Sequence, residues 1–133
     1  MFSWPTRVYY EDSDAAGVVY YANYLKYLER ARTEWLRALG FELPALERDY
    51  EVVFVVRKLT IEYLRPARFN DLLDVSVEPT VVGNGLIEVS QCVGRESQIL
   101  VAAQVKLACV NTRLFKPVRI PQPIREKIVV RSE

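Results

Sequence analysis

The stretch Ala22-Asn23-Tyr24-Leu25-Lys26-Tyr27-Leu28-Glu29-Arg30-Ala31-Arg32-Thr33-Glu34-Trp35-Leu36-Arg37-Ala38-Leu39-Gly40 decides how the rest of the chain must be arranged. Tyr24, Leu28, Ala31, Trp35 and Leu39 recur at spacings of three and four and share one face, which Leu25, Tyr27 and Leu36 widen. Lys26, Glu29, Arg30, Thr33, Glu34 and Arg37 lie mainly elsewhere, so the spacing predicts one amphipathic helix over residues 22–39. Glu29 and Glu34 are placed to pair with Lys26, Arg30 or Arg37 on its wet side. Gly40 suits the left-handed position just past a helix end, and Phe41 the apolar contact that accompanies it. Residues 44–49 add one further helical turn, with Pro44 at an early position.

Downstream of that helix the period changes from helical to two. Residues 52–63 are rich in β-branched side chains, and Leu59, Ile61 and Tyr63 alternate with Lys58, Thr60 and Glu62. Residues 65–71 form a loop, after which Leu73, Val75 and Val77 alternate with Asp74, Ser76 and Glu78. Gly83-Asn84-Gly85 is a hairpin signal leading into Ile87, Val89 and Gln91, and residues 99–111 make another long strand. Upstream, residues 7–11 read as a short first strand. Pro117, Pro121 and Pro123 keep the tail out of any central strand, so it is expected along an edge or over the surface. One helix cannot cover both faces of about five strands. The expected class is therefore α+β, a curved antiparallel sheet wrapped round one helix, completed by a second copy of the chain.

The 133 residues fit one domain spanning 1–133, with 50% hydrophobic and 26% charged residues. Lys and Arg total 18 against 17 acids, a balance that argues against nucleic acid as the main partner. No basic region precedes an apolar run at the start, and no run approaches the ~18 apolar residues of a membrane span, so a cytoplasmic protein without membrane insertion is expected. Cys92 and Cys109 have no metal or redox spacing and read as small buried hydrophobes, a disulfide between neighbouring strands being the alternative. The sharpest number is zero: the chain has no histidine. Imidazole acid–base chemistry, His-dependent triads and His-ligated zinc are thereby excluded. No metal cluster and no nucleotide-binding glycine loop stands in the sequence, and no cofactor is expected.

Chemistry concentrates in residues 9–24, between first strand and helix. Asp12 and Asp14 flank Ser13, then Ala15-Ala16-Gly17 allows a tight backbone path. Val19, Tyr20 and Tyr21 are not capping residues, so unless Asn23 caps a helix beginning at Tyr24 the first helical N–H groups stay free. A carboxylate to activate water or attack a carbonyl, with N–H donors for the oxyanion, is what thioester hydrolysis needs. Ordinary turn formation is the competing role of both aspartates.

Residues 7–20, Arg7-Val8-Tyr9-Tyr10-Glu11-Asp12-Ser13-Asp14-Ala15-Ala16-Gly17-Val18-Val19-Tyr20, resemble the signature of the YbgC-type acyl-CoA thioesterases, within the 4-hydroxybenzoyl-CoA thioesterase family of hot-dog proteins. The resemblance continues through residues 29–34, 54–58, 62–63 and 66–68 and weakens after Thr80. It implies a hot-dog fold and hydrolysis of acyl-CoA to free acid and CoA, with Asp14 as nucleophile or general base. It also implies the Tyr21 backbone N–H as oxyanion donor and Gly17 as the point of close substrate approach. Many YbgC-type members carry histidine where this chain has Tyr21, and the tyrosine resembles the 4-hydroxybenzoyl-CoA branch. Arg57, Lys58 and Arg68, with Arg65, are candidates for the CoA phosphates, against their ordinary place as solvated surface. Tyr9 and Tyr10 alternate across the expected first strand. One would line the pocket, with Tyr10 carried as the substrate contact, although packing is the commoner fate of either. The resemblance further implies homodimers pairing into homotetramers, with active sites shared between subunits. A non-catalytic module binding acyl-CoA or acyl carrier protein is the alternative. A hot-dog hydratase is disfavoured by the missing histidine.

Overall fold

The computed structural model describes residues 1–130. One long helix, α1 (Asn23–Ala38), lies against a five-stranded sheet made of β1 (Phe2–Arg7), β2 (Val52–Tyr63), β3 (Leu72–Val82), β4 (Leu86–Arg95) and β5 (Gln98–Asn111). The spatial order is β1-β3-β4-β5-β2 and every pairing is antiparallel. This is the hot-dog arrangement. Alternation builds it: Leu73, Val75, Val77, Ile87, Val89, Val93, Val101, Ala103, Val105 and Leu107 all turn inward and are buried. They meet Tyr24, Tyr27, Leu28, Ala31, Trp35 and Leu36 from α1, each large side chain contributing about 1.5–3 kcal/mol of burial. Leu25 does not join them. It follows Tyr24 by one residue, a rotation of about 100° on a helix, and is exposed.

The end of α1 is a Schellman turn: the Gly40 N–H bonds the Arg37 carbonyl, the Phe41 N–H bonds the Leu36 carbonyl, and Gly40 sits at φ +98°. A second helix, α2 (Leu43–Tyr50), extends the expected turn at residues 44–49 and buries Leu46. The strands and turns fall where the spacing placed them from Val52 to Asn111, with register shifts at Arg57 in β2, at Thr80 in β3 and between Val93 and Gly94 in β4.

Three expectations are corrected. The first strand is Phe2–Arg7, not residues 7–11, and Tyr10–Asp12 form a 3-10 turn. Pro5 can lie within β1 because that strand is an edge, paired only with β3. Tyr9 and Tyr10 therefore do not alternate across a strand and do not pack in the core; they are 62% and 79% exposed. The tail is more than a surface run. Val118 and Ile120 donate to the carbonyls of Cys109 and Asn84, a third short helix α3 (Gln122–Lys127) follows, and Ile120, Ile124 and Ile128 are buried in the common core. Finally, Cys109 is buried but Cys92 is only half-buried, on the sheet face away from α1, and both are free thiols. The expected span of 1–133 runs three residues past the described part. Among the described residues no helix is long and apolar enough to cross a membrane.

Candidate active site

The loop before α1 is folded by its own backbone. The Asp14 N–H bonds the Val18 carbonyl (2.9 Å), the Gly17 N–H bonds the Asp14 carbonyl (3.0 Å), and Gly17 adopts φ +80°. Ser13 and Val19 face each other across this tight hairpin. Among the described residues, and apart from its own chain neighbours, no atom lies within 4 Å of where a Gly17 side chain would begin, so glycine here serves conformation and leaves open space beside the turn. Asp14 is exposed. One carboxylate oxygen accepts the Ala16 N–H at 2.8 Å, an Asx turn, and the other accepts no hydrogen bond from the described residues. Turn former and available carboxylate are thus the same residue.

Tyr21 lies at the entrance to α1, and the backbone on either side of it is pinned. The Val19 N–H bonds the Ala67 carbonyl (2.8 Å), the Tyr20 N–H bonds the Asp12 carbonyl (3.0 Å), and the Tyr20 carbonyl accepts the Asn23 N–H (2.8 Å). The Tyr63 hydroxyl donates to the Tyr21 carbonyl at 3.3 Å. Between these contacts, the Tyr21 N–H meets no acceptor among the described residues. Asn23 does not cap the helix with its side chain. It is the first helical residue and its Nδ2 donates to the Asp12 carbonyl at 2.8 Å. No side chain caps the helix start, the Asn23 and Leu25 N–H groups being taken by the Tyr20 and Ala22 carbonyls, and the positive end of the helix dipole lies beside the unpaired Tyr21 N–H.

An aromatic wall stands beside this N–H. Tyr21 meets Tyr63 edge to face at 6.1 Å, and Tyr63 tilts against Tyr24 at 5.6 Å. Tyr21, Tyr24, Tyr63, Val19, Leu64 and Pro66 line an open cleft of about 250 Å³. Burial holds the Tyr24 and Tyr63 hydroxyls above the ordinary phenol range, so both are neutral hydrogen-bonding groups near pH 7. The Tyr24 hydroxyl accepts the Ala67 N–H at 3.0 Å, which fixes the segment that holds Val19. Tyr27, beneath them, is also raised by burial, with the Asp12 carboxylate beside it. Its hydroxyl has no protein partner among the described residues.

Of the other candidates, Arg68 is brought to the loop: it bridges Val18, and its N–H donates to Asp71 at 2.9 Å. Arg57 sits at the β2 bulge, exposed. Lys58 lies on the outer sheet face with Thr60, Glu88 and Lys106, away from α1. Tyr10 is at the loop's rim, edge-on to Phe69 at 5.8 Å. Reading residue types along the chain missed Asn23 and Tyr63 as anchors of this site. The only sequence signal for Asn23 was its place at the helix start.

A hot-dog sheet with an unpaired backbone N–H at Tyr21, just before its long helix and just after a loop bearing an available carboxylate, fits one class: hot-dog enzymes of thioester chemistry. The model of the thioesterase superfamily matches residues 16–102. The chain is 46% identical to the acyl-CoA thioester hydrolase YbgC of Escherichia coli O6:H1 over 93% of its own length and 92% of that protein's. A probable thioesterase from Bartonella henselae superposes with a TM-score of 0.87 at 35% identity, covering 90% of this chain and 98% of that one. A 1,4-dihydroxy-2-naphthoyl-CoA thioesterase from Synechocystis does so at 0.87 and 25% identity, covering 96% and 94%. This chain belongs to the thioesterase superfamily and is a thioester hydrolase.

Proposed function

We propose that this protein hydrolyses acyl-CoA to a free carboxylic acid and CoA, with Asp14 and the Tyr21 N–H as its catalytic groups. The observation that carries this reading is the Tyr21 N–H, fixed on both sides by hydrogen bonds yet lacking an acceptor of its own among the described residues. A thioester carbonyl oxygen placed on that donor becomes more electrophilic, and the donor strengthens as negative charge builds in the tetrahedral intermediate. The free oxygen of Asp14 takes a proton from the attacking water, or attacks the carbonyl itself. The C–S bond then breaks, the thiolate takes up a proton as CoA leaves, and the acid is released. In the direct-attack route water cleaves the resulting anhydride and restores the carboxylate. With no histidine in the chain, the base is a loop carboxylate, and we assign it to Asp14. Gly17 leaves room for the thioester, and the cleft beside Tyr21 receives the acyl group.

A cleft of about 250 Å³ is small and open for a CoA ester, which is consistent with a site completed by a second subunit. The outer edge of β2 offers the place. It is an end strand of twelve residues, with Val56 47% exposed. Such edges call for cover. A homodimer, pairing further into a tetramer, is the assembly we assign, in a cytoplasmic single-domain protein. Arg68, with Arg57 and Lys58 contributed across subunits, is assigned to the CoA phosphates, and acyl carrier protein is the alternative carrier of the thioester.

The test is thiol release from a panel of aliphatic and aromatic acyl-CoA esters. We expect turnover with at least one, and a loss of about a hundredfold or more in kcat in Asp14→Asn. Tight acyl-CoA binding with no thiol released from any ester would favour a binding module and overturn the proposal.

A further inference from the structure

We propose that Asn23 is the positioning residue of the site, holding the oxyanion donor and the Asp14 loop in register; the inference rests on the function proposed above. Asn23 makes two hydrogen bonds, each on a different part of the machinery. Its backbone N–H donates to the Tyr20 carbonyl at 2.8 Å. In a trans peptide the C=O and the N–H of the next residue point in opposite directions from one rigid plane. Fixing the Tyr20 carbonyl toward the helix therefore turns the Tyr21 N–H away from it. The Asn23 side chain meanwhile donates from Nδ2 to the Asp12 carbonyl at 2.8 Å, eleven residues upstream. That carbonyl is the one that also accepts the Tyr20 N–H at 3.0 Å.

The Asp12 carbonyl is thus a shared node. Through it one amide side chain ties the strand of loop that carries Asp14, two residues on, to the peptide that carries the Tyr21 donor. The half-buried position of Asn23 protects the contact from competing water. No other described side chain donates to the Asp12 carbonyl. Tyr63 restrains the Tyr21 carbonyl from the far side but does not touch the Asp14 loop. Aspartate at position 23 would keep the shape and lose the donor, setting a carboxylate against a carbonyl oxygen. Alanine would leave the node with the Tyr20 N–H alone.

The experiment measures kcat and KM of Asn23→Ala and Asn23→Asp on one acyl-CoA ester that the wild type hydrolyses. Thermal midpoints are taken at the same protein concentration, and the assay runs well below them. Small displacement of a catalytic group costs rate and leaves ground-state binding largely intact, so we expect kcat to fall about tenfold or more with KM within about twofold. A merely structural role would lower the midpoint and leave kcat of the folded fraction unchanged. A kcat within twofold of wild type in either folded variant overturns the inference, as does a raised KM at unchanged kcat. The alanine variant, which introduces no charge, keeps the test open if the aspartate variant fails to fold. Asp14→Asn measured alongside separates the two readings. If it is inactive while the Asn23 variants turn over normally, only the positioning role falls. If it retains wild-type turnover, the catalytic assignment itself fails.

Discussion

Gln91 is the one fully buried polar side chain among the described residues, and the stability of the helix on the sheet depends on it. It stands on β4 in line with Ile87, Val89 and Val93, facing α1. Its Nε2 donates to the Leu28 carbonyl on the helix (3.1 Å) and the Ser76 carbonyl on β3 (3.3 Å), while its Oε1 accepts from Arg32 (3.0 Å). Burial holds the Arg32 guanidinium below the ordinary arginine value, opposed by Glu29. Gln91→Leu keeps volume but strips the Arg32 head of its partner, a bond to a charged group worth about 1.5–3 kcal/mol, and leaves the Ser76 carbonyl short of a donor for about 1 kcal/mol more. The expected loss is about 3 kcal/mol. For 133 residues the unfolding entropy is about 0.28 kcal/mol per degree, which converts that loss to a midpoint about 10 °C lower. Replacing both members should cost less. In Arg32→Met with Gln91→Leu no charge is stranded, so the double variant is expected to be more stable than Gln91→Leu alone. Thermal and urea unfolding at one fixed protein concentration provide the assay, because an oligomer's midpoint moves with concentration. A Gln91→Leu protein within about 1 kcal/mol of wild type, or a double variant less stable than the single, would refute this account.

Two other predictions complement the Asp14 and Asn23 tests. Asp71 is paired with Arg95 at 2.7 Å and accepts the Arg68 N–H. Burial pushes its carboxyl up, but those partners together hold it below the ordinary aspartate value. A depressed folded-state value means the stabilisation is present above the unfolded pKa near 4 and is lost as pH falls through the lower folded value. Urea midpoints followed from pH 6 to pH 2.5 should therefore fall less steeply in Asp71→Asn, and an unchanged slope would remove Asp71 from the acid transition. Cys109 is buried and its thiol is pushed up to about 11, so at pH 8 it should resist a thiol reagent in the native protein and react after denaturation. Labelling of native Cys109 at the rate of a free thiol would contradict the packing of β5 against the tail.

What could be read along the chain was what periodicity controls. Tyr24 to Trp35 on one helix face, and the alternation of β3, β4 and β5, depend on the sign of each side chain's preference for water, and both stand in the fold. The errors arose where a local rule had a topological exception. β-propensity alone points to residues 7–11, while the strand that forms is Phe2–Arg7, where Pro5 is tolerated because β1 is an edge. Three prolines hid the tail's own signal, Ile120, Ile124 and Ile128 at intervals of four, which brings α3 and its flanks into the core. The site divides the same way. Asp-Ser-Asp followed by a glycine turn is visible as residue types, and so is the lack of a capping side chain before the helix. Which N–H remains unpaired is a property of backbone direction, set by Asn23, Tyr63 and Ala67 from three separate segments. A substitution that preserves every motif letter yet removes the Asn23 amide would leave the signature readable and its geometry loosened. What holds that geometry is the carbonyl of Asp12, where the Asn23 amide at the helix start and the Tyr20 N–H before Tyr21 meet on the loop that carries Asp14.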